Sequence, residues 1–263
     1  MKISGSTVLL TGATGGIGHA IARALHAQGA KLILTGRRTD VLEPLAAELG
    51  GQALAVDLTD RAALERLLEQ AGDVDILVAN AALPAAGRLD SFSTEEIDRA
   101  LAVNLTAPIL LAHALAPQMA KRGGGHLLFV NSLSGRTATA GTSLYNASKF
   151  GLRGFAAALR PELADSNVGV SSVFPGFIRD AGMFADANVK LPRGVGTSSP
   201  EEVAKAVVSA IERNRREVIV APATMRASTV FSNLAPELAL KVARMAGSDA
   251  ITSAMEAGQR EKR

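Results

Sequence analysis

The sequence predicts an α/β fold built on a parallel sheet, and three observations support this class. Strand-like apolar runs alternate with helical patterns along the chain, and a strand, a glycine turn, a helix and a second strand follow one another near its start. The apolar run 75–78, bounded by Gly72 and Asn80, is typical of a strand buried on both faces. With 263 residues, of which 48% are hydrophobic, the chain fits one large α/β domain or two small ones.

Composition and charge exclude several classes of function. The 28 Lys and Arg residues nearly balance 25 Asp and Glu, and a net charge of +3 does not indicate a nucleic-acid partner. The chain has no cysteine, which excludes thiolate chemistry and is compatible with the cytoplasmic location that we expect. We see no signal peptide and no uninterrupted apolar run of about 18 residues, so no membrane-spanning helix is expected. The histidines (His19, His26, His113 and His126) lack metal-ligand spacing, and no catalytic metal is expected.

The first strand, turn and helix form a candidate nucleotide site. A strand is predicted over 7–10, an Ala-rich helix over 17–28 and a second strand over 31–35, with Thr11-Gly12-Ala13-Thr14-Gly15-Gly16-Ile17-Gly18 at the first crossover. Glycines there remove Cβ atoms, so backbone N–H groups and the helix N-terminus can approach a pyrophosphate. The alternative is an ordinary glycine-rich turn, but the position between strand and helix favours the nucleotide.

The end of the second strand indicates which cofactor is preferred. An acidic residue there would bond the adenosine ribose 2′-hydroxyl, but this chain has Thr35-Gly36-Arg37-Arg38 and no Asp or Glu before Asp40. Arg37 and Arg38 can hold a 2′-phosphate by charge-assisted hydrogen bonds, which favours NADP over NAD. The alternative is that both arginines only face solvent.

The alternation continues to residue 220. Helices are predicted over 40–49, over 60–70, from Ser93 through 108–122 and from Ser199 onward, and strands over 52–56, 126–130, 168–174 and 217–220. Ser93 and Ser199 each open a capping-box sequence. Asn104 is polar on an apolar helix face, so we expect it to find buried partners and to bend the helix. A structural role for Asn104 and a functional one stay equally open at this point.

Polar residues follow two of the predicted strands, where ligands of parallel sheets bind. Asn80-Ala81-Ala82 comes after the strand 75–78, and Ser132 comes after the strand 126–130. The small residues would allow a close ligand approach or tight packing, and Ser132 alone is more typical of a turn.

Tyr145, the only tyrosine, and Lys149 lie four residues apart and would share one helix face. An ammonium group beside a phenol favours the phenolate, so we expect Lys149 to lower the pKa of Tyr145. A phenol tuned in this way can donate and accept a proton. The alternative, a tyrosine on an apolar helix with a surface lysine, is more common for an isolated match.

Taken together, the motifs resemble the short-chain dehydrogenase/reductase family over residues 4–222. The matches, in family order and spacing, are Thr11-Gly12-x-x-x-Gly16-x-Gly18, Asn80-Ala81-Ala82, Asn104, Ser132, Tyr145-x-x-x-Lys149 and Pro175-Gly176. The resemblance implies a single Rossmann-type, doubly wound sheet of seven parallel strands. It also implies carbonyl/alcohol chemistry that depends on a nicotinamide cofactor.

The resemblance also assigns roles to site residues. Tyr145 would be the acid/base on the substrate oxygen, and Ser132 would polarise the carbonyl. Lys149 would hold the nicotinamide ribose, and Asn104 would support a water in a proton relay. The predicted cofactor-binding residues are Gly12, Thr14, Gly16, Ile17, Gly18, Arg37, Arg38, Asp57, Leu58, Asn80, Ala81, Tyr145, Lys149, Pro175, Gly176 and Ile178.

Two positions depart from the family pattern. Ala79-Asn80-Ala81-Ala82 replaces Asn-Asn-Ala-Gly, which is a mild change. Asp180 stands where the family has a Thr that donates its hydroxyl to the cofactor, and an ionised Asp cannot donate. We expect Asp180 instead to cap the helix of the substrate lid.

The lid, by resemblance, spans residues 179–198, where Gly194 and Gly196 are candidate hinges. The substrate contacts are expected from Ser132, Leu133, Tyr145, Met183 and Phe184, and other apolar lining or lid residues are Leu83, Ala138, Val189 and Leu191. This mainly apolar lining predicts a lipophilic ketone, aldehyde, steroid or 3-oxoacyl substrate.

Residues 223–263 extend beyond the family domain of 1–222. Leu234, Leu238, Val242 and Met245 have helical spacing, which favours packing on the chain's own domain or on a partner subunit. Contact with a membrane surface or an acyl carrier is the alternative.

The sequence therefore predicts an NADP-dependent carbonyl reductase or alcohol dehydrogenase that uses Asn104, Ser132, Tyr145 and Lys149. The alternative is a non-catalytic, nucleotide-binding regulatory or scaffold protein. The helices near 108–122 and 145–164 resemble the family's dimer-forming pair, so a homodimer or homotetramer is expected.

Overall fold

A sheet of seven strands forms the centre of the computed structural model, which describes residues 1–186, 196–245 and 247–259. The strands are β1 (Thr7–Leu10), β2 (Lys31–Gly36), β3 (Gln52–Ala55), β4 (Ile76–Ala79), β5 (Gly125–Val130), β6 (Val168–Pro175) and β7 (Glu217–Val220). Their order is β3-β2-β1-β4-β5-β6-β7, and every pairing is parallel. The predicted doubly wound sheet is confirmed, and the chain reverses its winding between β1 and β4, where ligands of such sheets bind.

Helices cover both faces of this sheet. They are α1 (Gly16–Ala27), α2 (Thr39–Glu48), α3 (Arg61–Ala71), α4 (Thr94–Leu101), α5 (Ala107–Lys121), α6 (Ser143–Glu162), α7 (Gly182–Asp186), α8 (Pro200–Glu212), α9 (Ala223–Leu234), α10 (Pro236–Met245) and α11 (Ser248–Gln259). Alternate residues of β1 supply two separate cores, since Val8 and Leu10 pack with α1, α2 and α8, whereas Leu9 packs with α3, α5 and α6. Strands that are buried on both faces explain the near-continuous apolar runs of the sequence.

Helix starts follow the predicted capping boxes. The Ser93 N–H donates to Glu96 Oε2 over 2.8 Å, and the Glu96 N–H donates back to Ser93 Oγ over 3.2 Å. Ser199 and Glu202 form the same reciprocal pair at the start of α8. Each pair satisfies two N–H groups that the first helical turn leaves without an intrahelical acceptor.

The helix around Asn104 changes its winding, as the polar residue on its apolar face predicts. A π-helical turn, Ala102–Thr106, joins α4 to α5 without a break. By length and composition, Thr94–Lys121 is apolar enough to cross a membrane, but half of its most apolar window is buried inside the protein. Such burial is typical of a core helix, and α5 indeed packs beside β4 and β5.

One of the two predicted packings of the C-terminal helices, that of the apolar stripe on the chain's own domain, is wrong, and packing on a partner subunit stays a prediction. In the expected apolar stripe, Leu234 and Met245 are 81% and 88% exposed, and Leu238 and Val242 are about half exposed at 53% and 49%. The stripe therefore does not pack on the chain's own domain. Instead, other residues of α9, α10 and α11 reach the carboxyl edge of the sheet, and α11 packs beside α7.

Candidate active site

One cleft of about 1540 Å³ lies along the carboxyl ends of the strands. Its walls include every predicted cofactor and substrate residue: Gly12, Thr14, Gly16, Ile17, Gly18, Arg37, Arg38, Asp57, Leu58, Asn80, Ala81, Ser132, Leu133, Tyr145, Lys149, Pro175, Gly176, Ile178, Met183 and Phe184. Leu83 and Ala138 also line the cleft. Of the proposed catalytic residues, only Asn104 is absent from these walls.

The glycine turn brings β1, α1 and β4 into close contact. Gly12 has a φ of +66°, and a Cβ there would lie 2.7 Å from the Cα of Ala81. A Cβ at Gly18 would lie 2.2 Å from the carbonyl oxygen of Gly12. Any larger residue would therefore push backbone against backbone, and this is the physical reason for glycine at both positions.

The start of α1 suits a bound anion. Within the described residues, no side chain caps the helix at Gly15, and its first turn holds no acidic residue. The N–H groups of that turn and the positive end of the helix dipole therefore stay available on the wall of the cleft. A dinucleotide pyrophosphate fits this part of the cleft.

Asn80 has a structural task beside its predicted ribose contact. Its Nδ2 donates to the carbonyl oxygens of Thr11 and Gly12 over 3.0 and 3.1 Å. The Thr11 hydroxyl accepts from the backbone N–H groups of Asn80 and Ala81 over 3.0 and 3.1 Å. The role of Thr11 was not predicted, because the motif shows its position but not its partners.

The end of the cleft beside β2 carries two exposed arginines. Arg37 and Arg38 follow β2, and the Arg38 guanidinium donates to the carbonyl oxygen of Thr14. Asp57 Oδ1 accepts from the N–H and the hydroxyl of Thr59, both over 2.9 Å. The backbone hydrogen bond from Thr59, and to a smaller degree the charge of Arg37, lower the pKa of Asp57. This end is therefore cationic, with an ionised Asp57 as the counter-charge.

Ser132, Tyr145 and Lys149 meet where β5 ends and α6 begins. Lys149 is 1% exposed, and its Nζ donates to the carbonyl oxygen of Val130 over 3.2 Å. The same Nζ lies 5.7 Å from the centroid of the Tyr145 ring, and Ser132 lies near enough to the Tyr145 phenol to lower its pKa. The predicted convergence of these three side chains is present in the structure.

The pKa of Tyr145 shifts in the opposite direction to the prediction. Burial raises the pKa of the Tyr145 phenol to about 12, and Ser132 lowers it by less. Burial also lowers the pKa of the Lys149 ammonium group to about 8. The spacing of four residues placed both groups on one face, but it does not report how far each is removed from water.

Two buried asparagines that we did not predict hold this corner together. Asn131 Oδ1 accepts from the Ser132 N–H over 2.9 Å, and Asn131 Nδ2 donates to the Lys149 carbonyl oxygen over 3.2 Å. Asn146 Nδ2 donates to the carbonyl oxygens of Ser134 and Thr137. Their signal in the sequence was weak, since each is simply a polar neighbour of Ser132 or Tyr145.

Asn104 supports the cleft from behind its wall. It is fully buried, and its Oδ1 accepts from the Leu83 N–H over 2.7 Å while its Nδ2 donates to the Leu83 carbonyl oxygen over 2.9 Å. Both buried backbone groups of Leu83 are thereby satisfied. The side chain is a clamp on the segment after β4, and its part in a proton relay stays a prediction.

Two contacts hold the ends of the predicted lid segment together. Residues 187–195, which include the predicted Val189, Leu191 and Gly194, lie outside the described residues. Ile178 and Ser198 form a parallel bridge, and the rings of Phe177 and Phe184 lie 4.8 Å apart. Asp180 does not cap α7, because α7 begins at Gly182. Asp180 has a left-handed φ of +65°, and its Oδ2 lies 3.5 Å from Arg179 Nε.

The C-terminal extension forms a further wall that the sequence did not predict. Apolar side chains from it line the cleft: Met225, Phe231, Leu240, Val242, Ile251 and Met255. Gln259 is 1% exposed, and its Nε2 donates to the carbonyl oxygen of Met183 over 2.9 Å. The extension thus adds an apolar wall to the cleft and contacts Met183 of the predicted lid.

The fold and the cleft define a nucleotide-binding α/β protein of Rossmann type. The family model for short chain dehydrogenase matches residues 6–191. The chain therefore belongs to the short-chain dehydrogenase family.

Individual relatives agree with this membership. "Ketoacyl reductase HetN" of Nostoc sp. is 37% identical over 227 residues, which cover 83% of this chain and 79% of that protein. A solved short-chain dehydrogenase from Sphingobium yanoikuyae in complex with NADPH has a TM-score of 0.75 and 29% identity, covering 88% of this chain and 96% of the other. A 3-ketoacyl-(acyl-carrier-protein) reductase from Brucella melitensis complexed with NADH has a TM-score of 0.74 and 26% identity, covering 83% and 98%.

We expect Gly18→Ala to lower the free energy of unfolding by about 1–3 kcal/mol, because the new Cβ would meet the Gly12 backbone. Urea unfolding measures this change. Gly154→Ala is the matched control, since a Cβ on this exposed α6 glycine meets nothing within 4 Å. The control should raise stability by about 0.5–1 kcal/mol. Equal stability of Gly18→Ala and the wild type would contradict the close contact.

Proposed function

We propose that this member of the family is an NADP(H)-dependent oxidoreductase that interconverts a carbonyl and an alcohol by hydride transfer. The observation that carries the proposal is the convergence of Ser132, Tyr145 and Lys149 in the same cleft as the uncapped start of α1. The dinucleotide, when bound, supplies or accepts the hydride. The protein's own part is to bind, to orient and to move a proton.

Three side chains would act on the substrate end. The hydroxyls of Ser132 and Tyr145 would donate hydrogen bonds to the carbonyl oxygen, which favours the charge that develops there. Tyr145 Oη would then give its proton to that oxygen. Lys149, fixed by burial and by its bond to Val130, would hold ribose hydroxyls and stabilise the phenolate left behind.

The raised pKa of Tyr145 is compatible with this role in carbonyl reduction. With a pKa of about 12, the phenol carries its proton throughout the physiological range and can serve as a donor. With a pKa of about 8, Lys149 is mostly charged at pH 7 and loses its charge as the pH rises through about 8. Carbonyl reduction would therefore be favoured below pH 8, where Lys149 keeps its charge, over reduction above pH 8.

The predicted cofactor-binding residues would contact the dinucleotide along its whole length. The α1 start suits the pyrophosphate, and Asp57, Leu58 and Asn80 would bound the adenosine. Arg37 and Arg38 favour a 2′-phosphate, because both line the cleft and no acidic residue stands at the end of β2. Pro175, Gly176 and Ile178 would lie along the nicotinamide.

The substrate we propose is lipophilic, of ketone, aldehyde, steroid or 3-oxoacyl type. Apolar side chains from three separate parts of the chain support this class: Leu83 and Leu133 beside the catalytic residues, Met183 and Phe184 from the lid, and Met225 from the extension. Ketoacyl reductases among the relatives support the same class.

We further propose a domain of 1–222 with an extension of 223–263, in a cytoplasmic protein that forms homodimers or homotetramers. The pairing of helices equivalent to α5 and α6 in the family supports the oligomer. A non-catalytic scaffold remains the competing function, and the next experiment separates the two.

We expect Tyr145→Phe to lower kcat for NADPH-dependent reduction by about 100-fold or more, because the proton donor is lost. A panel of ketones and aldehydes with apolar tails, followed by NADPH absorbance, measures the rate. Ser143→Ala is the matched control, since it removes a hydroxyl from an exposed position of the same helix. If Tyr145→Phe kept more than half of the wild-type rate, the proposed acid/base role would be wrong.

We expect Arg37→Asp to weaken NADPH binding about tenfold or more and to improve NADH binding, because an acidic group repels the 2′-phosphate and accepts from the ribose. Calorimetric titration with each nucleotide measures both effects. Arg213→Asp, an exposed arginine at the end of α8, is the control of equal charge change. An unchanged ratio of the two dissociation constants would contradict the assignment of Arg37 to the 2′-phosphate.

A further inference from the structure

Exposed apolar side chains concentrate on two helices of the extension. Among the described residues, ten large apolar side chains are exposed, and seven of them lie within 230–245. These seven, which we call the α9–α10 patch, are Val230, Phe231, Leu234, Leu238, Leu240, Val242 and Met245. Monomeric proteins seldom expose such a cluster without an interaction that covers it.

The α9–α10 patch is continuous with the candidate active site. Phe231, Leu240 and Val242 are 40%, 39% and 49% exposed, and all three also line the cleft. They therefore form its rim, while Leu234 and Met245 lie farther out and do not line it. An apolar path leads from the outer surface of α9 and α10 into the cleft.

Basic residues accompany this apolar surface. Lys241 and Arg244 are exposed on α10, and Arg226 lies on α9, where it bonds the Ala221 carbonyl oxygen. Glu237 is the one acidic residue between positions 223 and 245, so three basic residues minus one acidic residue leave a local charge of +2. An apolar helix face with flanking Lys and Arg is typical of helices that lie in the interface of an anionic bilayer.

We propose that the α9–α10 patch docks on an anionic membrane surface and opens the cleft toward the lipid. The outer residues Leu234, Leu238 and Met245 would enter the headgroup boundary, and Lys241 and Arg244 would face lipid phosphates. The rim residues would then receive a lipophilic substrate directly from the bilayer. This last step rests on the proposed function, whereas the docking itself does not.

The charges favour a bilayer over a second copy of the chain. A symmetric contact between two α9–α10 patches would bring Lys241 and Arg244 of both copies into one interface. Like charges in an interface that excludes water oppose association. A symmetric contact would also cover the rim of the cleft in both copies.

Co-sedimentation of the full chain with vesicles tests the proposal. We expect the wild type to bind vesicles of phosphatidylcholine with phosphatidylglycerol more tightly than phosphatidylcholine alone. Leu234→Gln/Met245→Gln should weaken binding about tenfold or more, because two exposed apolar side chains no longer enter the lipid. Lys241→Gln/Arg244→Gln should weaken binding only to the anionic vesicles, in a salt-dependent way.

Two controls keep the result specific. Leu89→Gln changes an exposed leucine, 60% exposed, outside the α9–α10 patch and should bind vesicles as the wild type does. Tyr145→Phe should also bind as the wild type does, so failure of docking and failure of the proposed chemistry are distinguishable.

Three results would overturn the proposal. The first is no binding of the wild type to either kind of vesicle. The second is equal binding of the wild type and Leu234→Gln/Met245→Gln. The third is a concentration-dependent dimer in sedimentation equilibrium that this double variant abolishes, which would assign the patch to a second copy.

Discussion

The buried ammonium group of Lys149 is the constraint on which the site depends. A lysine that is 1% exposed must find polar partners or lose its charge, and burial lowers its pKa to about 8. Its donor bond to Val130 fixes the end of β5 against α6, and the same helix carries Tyr145 toward Ser132. The carboxyl edge of the sheet thus holds a cation beside a phenol that stays protonated. This arrangement suits a ligand with hydroxyl groups and a reacting oxygen.

Four asparagine side chains, three of them buried, give this edge its shape. Asn80 ties the glycine turn to β4, Asn104 clamps the segment that follows β4, and Asn131 and Asn146 join the loop after β5 to α6. Each bonds backbone groups that the loops would otherwise leave unsatisfied. The cleft is consequently formed by backbone held in fixed positions, and the catalytic side chains project from a rigid support.

Most of the fold and of the cleft could be predicted because periodicity and motif order report local geometry. The apolar runs predicted the strands, and the polar residue on an apolar face indicated an irregular helix at Asn104, where the structure has a π-helical turn. The predicted direction of the Tyr145 pKa shift was wrong because spacing does not report burial, which raises this pKa more than Ser132 lowers it. Packing of the stripe with Leu234 and Met245 on the chain's own domain was wrong, because spacing identifies one face of a helix but not what covers it. The cap expected from Asp180 failed because it lies one residue too early for α7.

The most direct test of the central role of Lys149 is a fluorescence titration of the wild type and Lys149→Met with NADPH. The chain has no Trp, so the nicotinamide's own emission reports binding without the usual energy transfer. Lys121→Met, an exposed lysine at the end of α5, is the control. We predict that Lys149→Met binds NADPH at least tenfold more weakly, a difference of about 1.4 kcal/mol, while the control binds normally. Equal binding by Lys149→Met, or no binding by the wild type, would contradict the account.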